Sequence, residues 1–353
     1  MKPSKNQRFI AFTTKGLENI TEKEINYKFP NTTTEVLTKR VIFSSNNISP
    51  KSLVELKTAD DVHVLLKSFD AENEDFILDN VPIDEIKEAI EYISQFRRLE
   101  KNFSITLSKY KNRTIDLESL ESNVSKIMMK KLGMNYTPRN RTNLDIRIYA
   151  EGPNILFSCR IPAVSLYNRK YRKCEKMGAL KPTIAAALCF LVSPKKDERV
   201  VDNFCGTGTI LCEAFLQGLE PYGGDINDEC VECAAKNITS ISPERAKNIK
   251  VLDAKLTKWP DSYFDYAISN LPWGKQVELK GVVKLYSASI KEYARILKKD
   301  GSIVLLGMKP DLIIKHLKMN FPEHEIIKFR IGFLGQTPWV VCALTRNKPR
   351  LSP

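Results

Sequence analysis

Apolar and polar positions alternate in two different ways along this chain. From about residue 198 onward, short apolar runs rich in β-branched residues are separated by stretches with helical spacing. Arg199–Phe204 reads as a buried strand and Thr209–Gln217 as an amphipathic helix, with the glycine turn Cys205–Gly208 between them. Further strands are predicted at Pro221–Gly224, Asn248–Leu252, Tyr263–Ser269, Ser302–Gly307, Glu325–Phe333 and Pro338–Leu344. Helices are predicted at Asn227–Ile238, Val282–Leu297 and Asp311–Met319. This order predicts an α/β domain, a mostly parallel Rossmann-like sheet with a terminal hairpin.

The first 160 residues pattern differently. Strands are predicted at Arg8–Thr14, Glu35–Ser44 and Asp61–Phe69, with helices at Gly16–Phe29 and Ser49–Ala59. That order in about 70 residues suits a ferredoxin-like unit. The next stretch predicts a helix Ile83–Phe96, a strand Asn102–Leu107 and a helix Leu117–Leu132 closed by Gly133. A hairpin Asn143–Ala150/Ile155–Ile161 follows, turning at Gly152-Pro153-Asn154. This second order resembles the THUMP domain, an RNA-binding module. The expected division is 1–70 ferredoxin-like, 71–162 THUMP, 163–180 a basic linker and 181–353 the Rossmann-like domain.

Composition narrows the class. The chain has 353 residues, 42% hydrophobic and 27% charged, as in folded globular proteins. No apolar run reaches the roughly 18–20 residues that span a bilayer. The start, MKPSKNQRFIAF, shows no signal-peptide core, so a cytoplasmic protein is expected. A net charge of +13 favours a polyanionic partner, nucleic acid first. Within Ala163–Lys181, Tyr167 and Tyr171 interleave with Arg169, Lys170, Arg172 and Lys173. Aromatic faces between cations suit an RNA strand, and a linker without a partner would read the same way. Lys109, Lys111, Arg113, Lys130, Lys131, Arg139, Arg141 and Arg147 are candidate phosphate contacts on the same footing. The eight cysteines are scattered, several as small hydrophobes. Cys230-Val-Glu-Cys233 lacks a second ligand pair, and His63, His316 and His324 form no cluster, so no metal is expected.

Two stretches carry chemistry. In VVDNFCGTGTI, Asp202 stands at the carboxyl end of a strand, where ligands of open α/β sheets bind. Gly206 and Gly208 leave room for a ligand against the backbone. A dinucleotide fingerprint needs a third glycine, and Leu211 follows instead. A carboxylate before the turn also repels a pyrophosphate and suits a cationic ligand. S-adenosylmethionine carries an ammonium and a sulfonium. Asp202 suits its methionine end, Asp225 the ribose hydroxyls and Asp253 the adenine amine. The second stretch is AISNLPWG. Asn270-Leu271-Pro272-Trp273 resembles the (Asn/Asp/Ser)-Pro-Pro-(Tyr/Phe/Trp) motif of amino methyltransferases, with Leu271 in place of the first proline. An exocyclic base amine is a poor nucleophile because its lone pair is delocalised. Oxygen acceptors from Asn270 and the Leu271 carbonyl aim that lone pair and favour the developing positive charge. Pro272 stiffens the loop, Trp273 offers a flat face for a flipped base, and Gly274 lets the chain turn away.

FTTKGLENITEKEI, SLYNRKYRK, LKPTIAAAL, VVDNFCGTGTI and ISNLPWG occur in that order. Together they resemble the THUMP-domain RNA guanosine-N2 methyltransferases, and most nearly the archaeal and bacterial enzymes that make N2-methylguanosine at position 6 of the tRNA acceptor stem. The resemblance implies that the N-terminal modules grip tRNA and that the C-terminal domain methylates a flipped guanine. It implies a cofactor lining of Asp202, Cys205, Gly206, Gly208, Asp225 and Asp253, with Thr183 nearby, and a guanine lining of Asn270, Leu271, Pro272 and Trp273. A monomer acting on tRNA is expected. Another RNA, another base, or an RNA-binding protein with a relic cofactor site are the alternatives.

Overall fold

The computed structural model describes residues 7–45, 48–110, 115–138, 144–273, 279–333 and 335–345. The chain divides into two compact units, residues 1–13 with 25–166, and residues 14–24 with 167–353. Lys111, Arg113, Arg139, Arg141 and Gly274, singled out above, lie outside the described residues.

The first unit is built on strands β1 (Gln7–Phe12), β2 (Thr33–Leu37), β3 (Arg40–Ser45), β4 (Asp61–Asp70), β5 (Asn102–Tyr110), β6 (Asn135–Tyr136), β7 (Asp145–Glu151) and β8 (Asn154–Arg160). They form one sheet in the order β2-β3-β1-β4-β8-β7-β5-β6. Its first four strands are antiparallel in the ferredoxin-like order. The segment expected as one strand, Glu35–Ser44, is instead a hairpin. It breaks at Lys39, which takes φ 63° without any glycine to announce the turn. The helix expected at Ser49–Ala59 is a single turn, Pro50–Leu53.

The division expected near residue 70 is not a break in this sheet. β4 pairs antiparallel with β8 from His63↔Arg160 to Asp70↔Asn154. One core then holds Phe9, Phe43 and Val64 together with Ile105, Val124, Ile148 and Phe157. The Gly152-Pro153 hairpin forms as expected, with Gly152 at φ 57°. Among the basic residues of this unit, the Arg147 guanidinium sits 4.6 Å over the Phe12 ring and Lys109 donates to the Ile115 carbonyl. Lys130 and Lys131 are exposed in the last turn of the Leu117–Leu132 helix.

The second unit carries β9 (Arg199–Asp202), β10 (Glu220–Asp225), β11 (Ile249–Val251), β12 (Phe264–Asn270), β13 (Leu297–Gly307), β14 (Glu325–Arg330) and β15 (Trp339–Leu344). Their order is β11-β10-β9-β12-β13-β15-β14. The first five are parallel and the last two form an antiparallel hairpin. Strand order reverses between β9 and β12, and the crevice beyond such a reversal is where open α/β sheets bind ligands. One face of the sheet buries Val200, Tyr266, Ile268, Val304 and Val340 against Ile184, Ala187 and Leu188 of the helix Pro182–Phe190, and against Leu17 and Ile20. The other buries Val201, Ala267, Ile303 and Val341 against Tyr286, Ile290 and Tyr293 of the helix Leu279–Ile296. Small residues at Ala185, Ala186 and Ala187 therefore serve helix packing.

Candidate active site

The carboxyl ends of β9, β10 and β12 open into a cavity of about 820 Å³, within the range of small-molecule sites. Gly206, Asp225, Asp253, Asn270, Leu271, Pro272 and Trp273 all line it. The two motifs that stand 64 residues apart in sequence, at Gly206 and Asn270, thus line one cavity.

Gly206 and Gly208 are both needed, for different reasons. Gly206 takes φ 50°, lines the cavity, and would have open space around a Cβ. Its N–H donates to Asp225 Oδ2 at 3.0 Å. Gly208 takes φ 76°, and a Cβ there would meet the Ala234 Cβ at 2.9 Å. It is fixed by helix packing and does not line the cavity. Asp225 also accepts from the Asn227 N–H, which orients its carboxylate at the strand end. Asp253 accepts from the Lys255 N–H and pairs with its ammonium at 3.3 Å.

Thr183, Asp202 and Cys205 are buried and are not among the residues that line the cavity. Asp202 is 1% exposed and belongs to a network. The Tyr293 hydroxyl donates to Ser269 Oγ, which donates to Asp202 Oδ1 at 2.6 Å. The Asn203 N–H donates to Tyr293 Oη, and the Phe204 N–H to Asp202 Oδ1. This ties the end of β9 to the residue preceding Asn270. Burial pushes the Asp202 carboxyl up to about 7, while the Ser269 and Phe204 hydrogen bonds pull it down and the Asp225 charge raises it. An unfolded Asp titrates near 3.9. Between about pH 4 and 7 the folded chain therefore holds a proton that the unfolded chain has released, and this group lowers stability as pH rises through that window. Asp202→Asn is expected to gain in melting temperature relative to the wild type on going from pH 5 to pH 8. An equal gap at both values would contradict the buried carboxyl.

The Asn270 loop is held from three sides. Trp273 Nε1 donates to Asn270 Oδ1 at 2.9 Å. The Tyr286 hydroxyl donates to the Pro272 carbonyl at 2.9 Å, and the Leu271 N–H to the Leu306 carbonyl. Phe333 packs edge-on against the Trp273 ring at 6.2 Å. One lone pair of Asn270 Oδ1 is therefore used within the loop and the second remains for a substrate donor.

The basic bridge needs correction. Tyr171 is 3% exposed, and its hydroxyl donates to Glu213 Oε1 at 2.8 Å. Arg169 Nε reaches the same oxygen at 2.8 Å, and Glu213 is fully buried. Neither Tyr171 nor Arg169 presents a free face to RNA, because the Arg169 guanidinium neutralises the Glu213 carboxylate inside the unit and the Tyr171 hydroxyl is hydrogen-bonded to it. Arg172 pairs with Glu175 at 2.9 Å. Tyr167 and the Lys173 side chain are exposed. The next residues fold onto the helix Asp228–Thr239, where Asn237 bonds the backbone of Lys173 and Cys174. Cys174 and Cys233 form a disulfide, a pairing that the scattered spacing of the cysteines did not predict. Lys176, Met177, Gly178 and Ala179 then line the cavity.

Sequence reasoning missed Ser269, Tyr286, Tyr293, Glu213 and Asn237. Tyr286 and Tyr293 stand seven apart, on one helix face, which was the available signal. Glu213 and Asn237 are polar residues on the apolar faces of their helices. Among the described residues, no group of three or more His, Cys, Asp or Glu could hold a metal ion. Among them no helix is long and apolar enough to cross a membrane.

The cavity suits a nucleoside-sized cation. It has open space at Gly206 and acids at two strand ends, and the enclosed Asn203 Nδ2, without a hydrogen-bond partner among the described residues, can donate to an acceptor on such a ligand. Comparison with known proteins agrees. Residues 169–337 match the family model described as UPF0020, RMKL-like methyltransferase domain. The chain is 28% identical over 225 residues to the U6 snRNA (guanine-N(2))-methyltransferase THUMPD2 of Bos taurus, covering 63% of this chain and 43% of that protein. It is 31% identical to a Methanothermococcus thermolithotrophicus protein named "Probable tRNA (guanine(10)-N2)-dimethyltransferase", covering 36% of this chain and 80% of that one. The chain spans less than half the length of the first curated relatives it matches. In fold it is similar to the crystal structure of TrmN from Thermus thermophilus, with a TM-score of 0.78, 19% identity, and coverage of 96% and 99% of the two chains.

Proposed function

The chain belongs to the RMKL-like methyltransferase family, and on that premise we propose that it transfers a methyl group from S-adenosylmethionine to the N2 amine of a guanosine in tRNA. The observation that carries this reading is the meeting of Asn270 and Trp273 with Gly206, Asp225 and Asp253 around one cavity. S-adenosylmethionine supplies an electrophilic methyl. The chain's residues do the rest. Asp225, held by the Gly206 and Asn227 N–H groups, accepts from ribose hydroxyls. Asp253 accepts from the adenine amine. Asp202 lies one layer back, where it braces the end of β9 through Ser269.

On the substrate side, Asn270 Oδ1 and the Leu271 carbonyl accept the N–H groups of the guanine amine. This aims the nitrogen lone pair and stabilises positive charge as the nitrogen–carbon bond forms and the carbon–sulfur bond breaks; the sulfur would leave as a neutral thioether and the amine's extra proton would pass to solvent. Trp273 serves twice, as a face for the flipped base and as the donor that fixes Asn270. Residues 1–70 and 71–162, as ferredoxin-like and THUMP modules, hold the RNA. The protein acts as a cytoplasmic monomer, and the methylated nucleotide is guanosine 6 of the acceptor stem. The tRNA substrate draws support from the tRNA enzyme among the relatives, and position 6 from the motif resemblance. The bovine relative's name specifies a different RNA, so the substrate is tested directly. Labelled S-adenosylmethionine is expected to mark unmodified tRNA, and a transcript with guanosine 6 changed to adenosine is expected to take no label. Preferential labelling of U6 snRNA or ribosomal RNA would replace tRNA as substrate, and full labelling of the changed transcript would move the position.

A further inference from the structure

The turn between β14 and β15 carries chemistry that the methyl-transfer reading leaves unused. Phe333 and Gln336 close it through two backbone hydrogen bonds, each N–H donating to the other's carbonyl at 2.9 Å. Gly335 takes φ 72° within it. Both Phe333 and Gln336 line the cavity with Asn270 and Trp273. Phe333 is 8% exposed and braces the Trp273 ring edge-on. Gln336 is exposed, and its carboxamide makes no hydrogen bond to the described residues. Two backbone hydrogen bonds thus hold Gln336, whose amide has no partner among the described residues, in the lining of the cavity that Trp273 shares.

We propose that Gln336 is the specificity-determining residue for guanine, reading N1–H with its carbonyl oxygen and O6 with its NH₂. This rests on the guanine-N2 reading above. Guanine presents the amine N2, the donor N1–H and the acceptor O6 in a row along one edge. With N2 held by Asn270, the next two groups are a donor and an acceptor side by side. A carboxamide is the complementary pair, an acceptor beside a donor. Adenine and cytosine each place a ring-nitrogen acceptor next to the reactive amine. Against either, the carboxamide satisfies at most one of its two groups. A bidentate amide contact of this kind discriminates bases by roughly 10–100-fold. The C-terminal hairpin then contributes to selection, the β12 loop to chemistry, and Phe333 links the two through Trp273.

The test uses RNA with guanine or 2-aminopurine at the nucleotide that the wild-type protein methylates. 2-Aminopurine keeps the reactive amine and lacks both N1–H and O6. Wild type is expected to prefer guanine in kcat/KM by roughly 10–100-fold. Gln336→Ala is expected to lose that factor on guanine and to keep its 2-aminopurine rate, so that the ratio collapses towards one. Gln336→Glu, which loses the donor to O6, is expected to lose preference as well. Unchanged S-adenosylmethionine affinity in both variants shows that the fold and cofactor site are intact. If wild type forms N2-methylguanosine and Gln336→Ala keeps the full preference, the role of Gln336 is overturned and the guanine reading stands. If wild type forms no N2-methylguanosine, both fall.

Discussion

Asn270→Ala is expected to lower kcat by roughly 10²–10³-fold, the usual loss on removing one preorganised polar group from a charge-developing centre. S-adenosylmethionine affinity is expected to stay within about threefold, because the variant leaves Gly206, Asp225 and Asp253 in place. The structure adds a second effect. The Trp273 N–H loses its acceptor, so the face offered to the base loosens as well. Single-turnover rates and equilibrium cofactor binding, measured together, separate these roles. Loss of cofactor binding in this variant would mean that Asn270 holds the cofactor and that the base sits elsewhere.

Glu213→Ala is expected to be the most destabilising single change at the bridge. The carboxylate is fully buried and takes hydrogen bonds from Arg169 and Tyr171. Removing it strands a guanidinium whose side chain is 11% exposed. Breaking a buried pair from one side costs about 3–5 kcal/mol, which corresponds to a melting temperature lower by roughly 6–20 °C in a unit of this size. Thermal unfolding by circular dichroism measures it. A shift of a degree or two would return Arg169 and Tyr171 to the solvent and restore them as candidates for RNA contact. The exposed Tyr167 and Lys173 keep that candidacy already.

The two motifs were legible because their chemistry is local. A buried strand, a glycine turn and a helix fall within twenty residues, and period and residue type identify each. The loop Asn270–Trp273 likewise follows its strand directly. What stayed hidden depends on partners distant in sequence. Gly208 reads as a ligand contact until Ala234, 26 residues on, is seen against it. Tyr171 and Arg169 read as surface aromatics and cations until Glu213 is found 42 and 44 residues away. The Cys174–Cys233 bond spans 59 residues, and nothing in the spacing of eight cysteines selects that pair. The shared sheet of the first unit depends on β4 meeting β8, a pairing between strands that each look complete alone. Asp202 shows the same limit on the energetic side. Its place at a strand end was visible, but its burial behind Ser269 and Tyr293 was not.

The central claim is that the acceptor atom is guanine N2. The most direct measurement is incubation of the protein with radiolabelled S-adenosylmethionine and bulk unmodified tRNA, followed by digestion to nucleosides and identification of the labelled one by mass. The account predicts label in N2-methylguanosine, absent with Asn270→Ala. Label in a methylated adenosine or cytidine, or tight tRNA binding with no label at all, would contradict it.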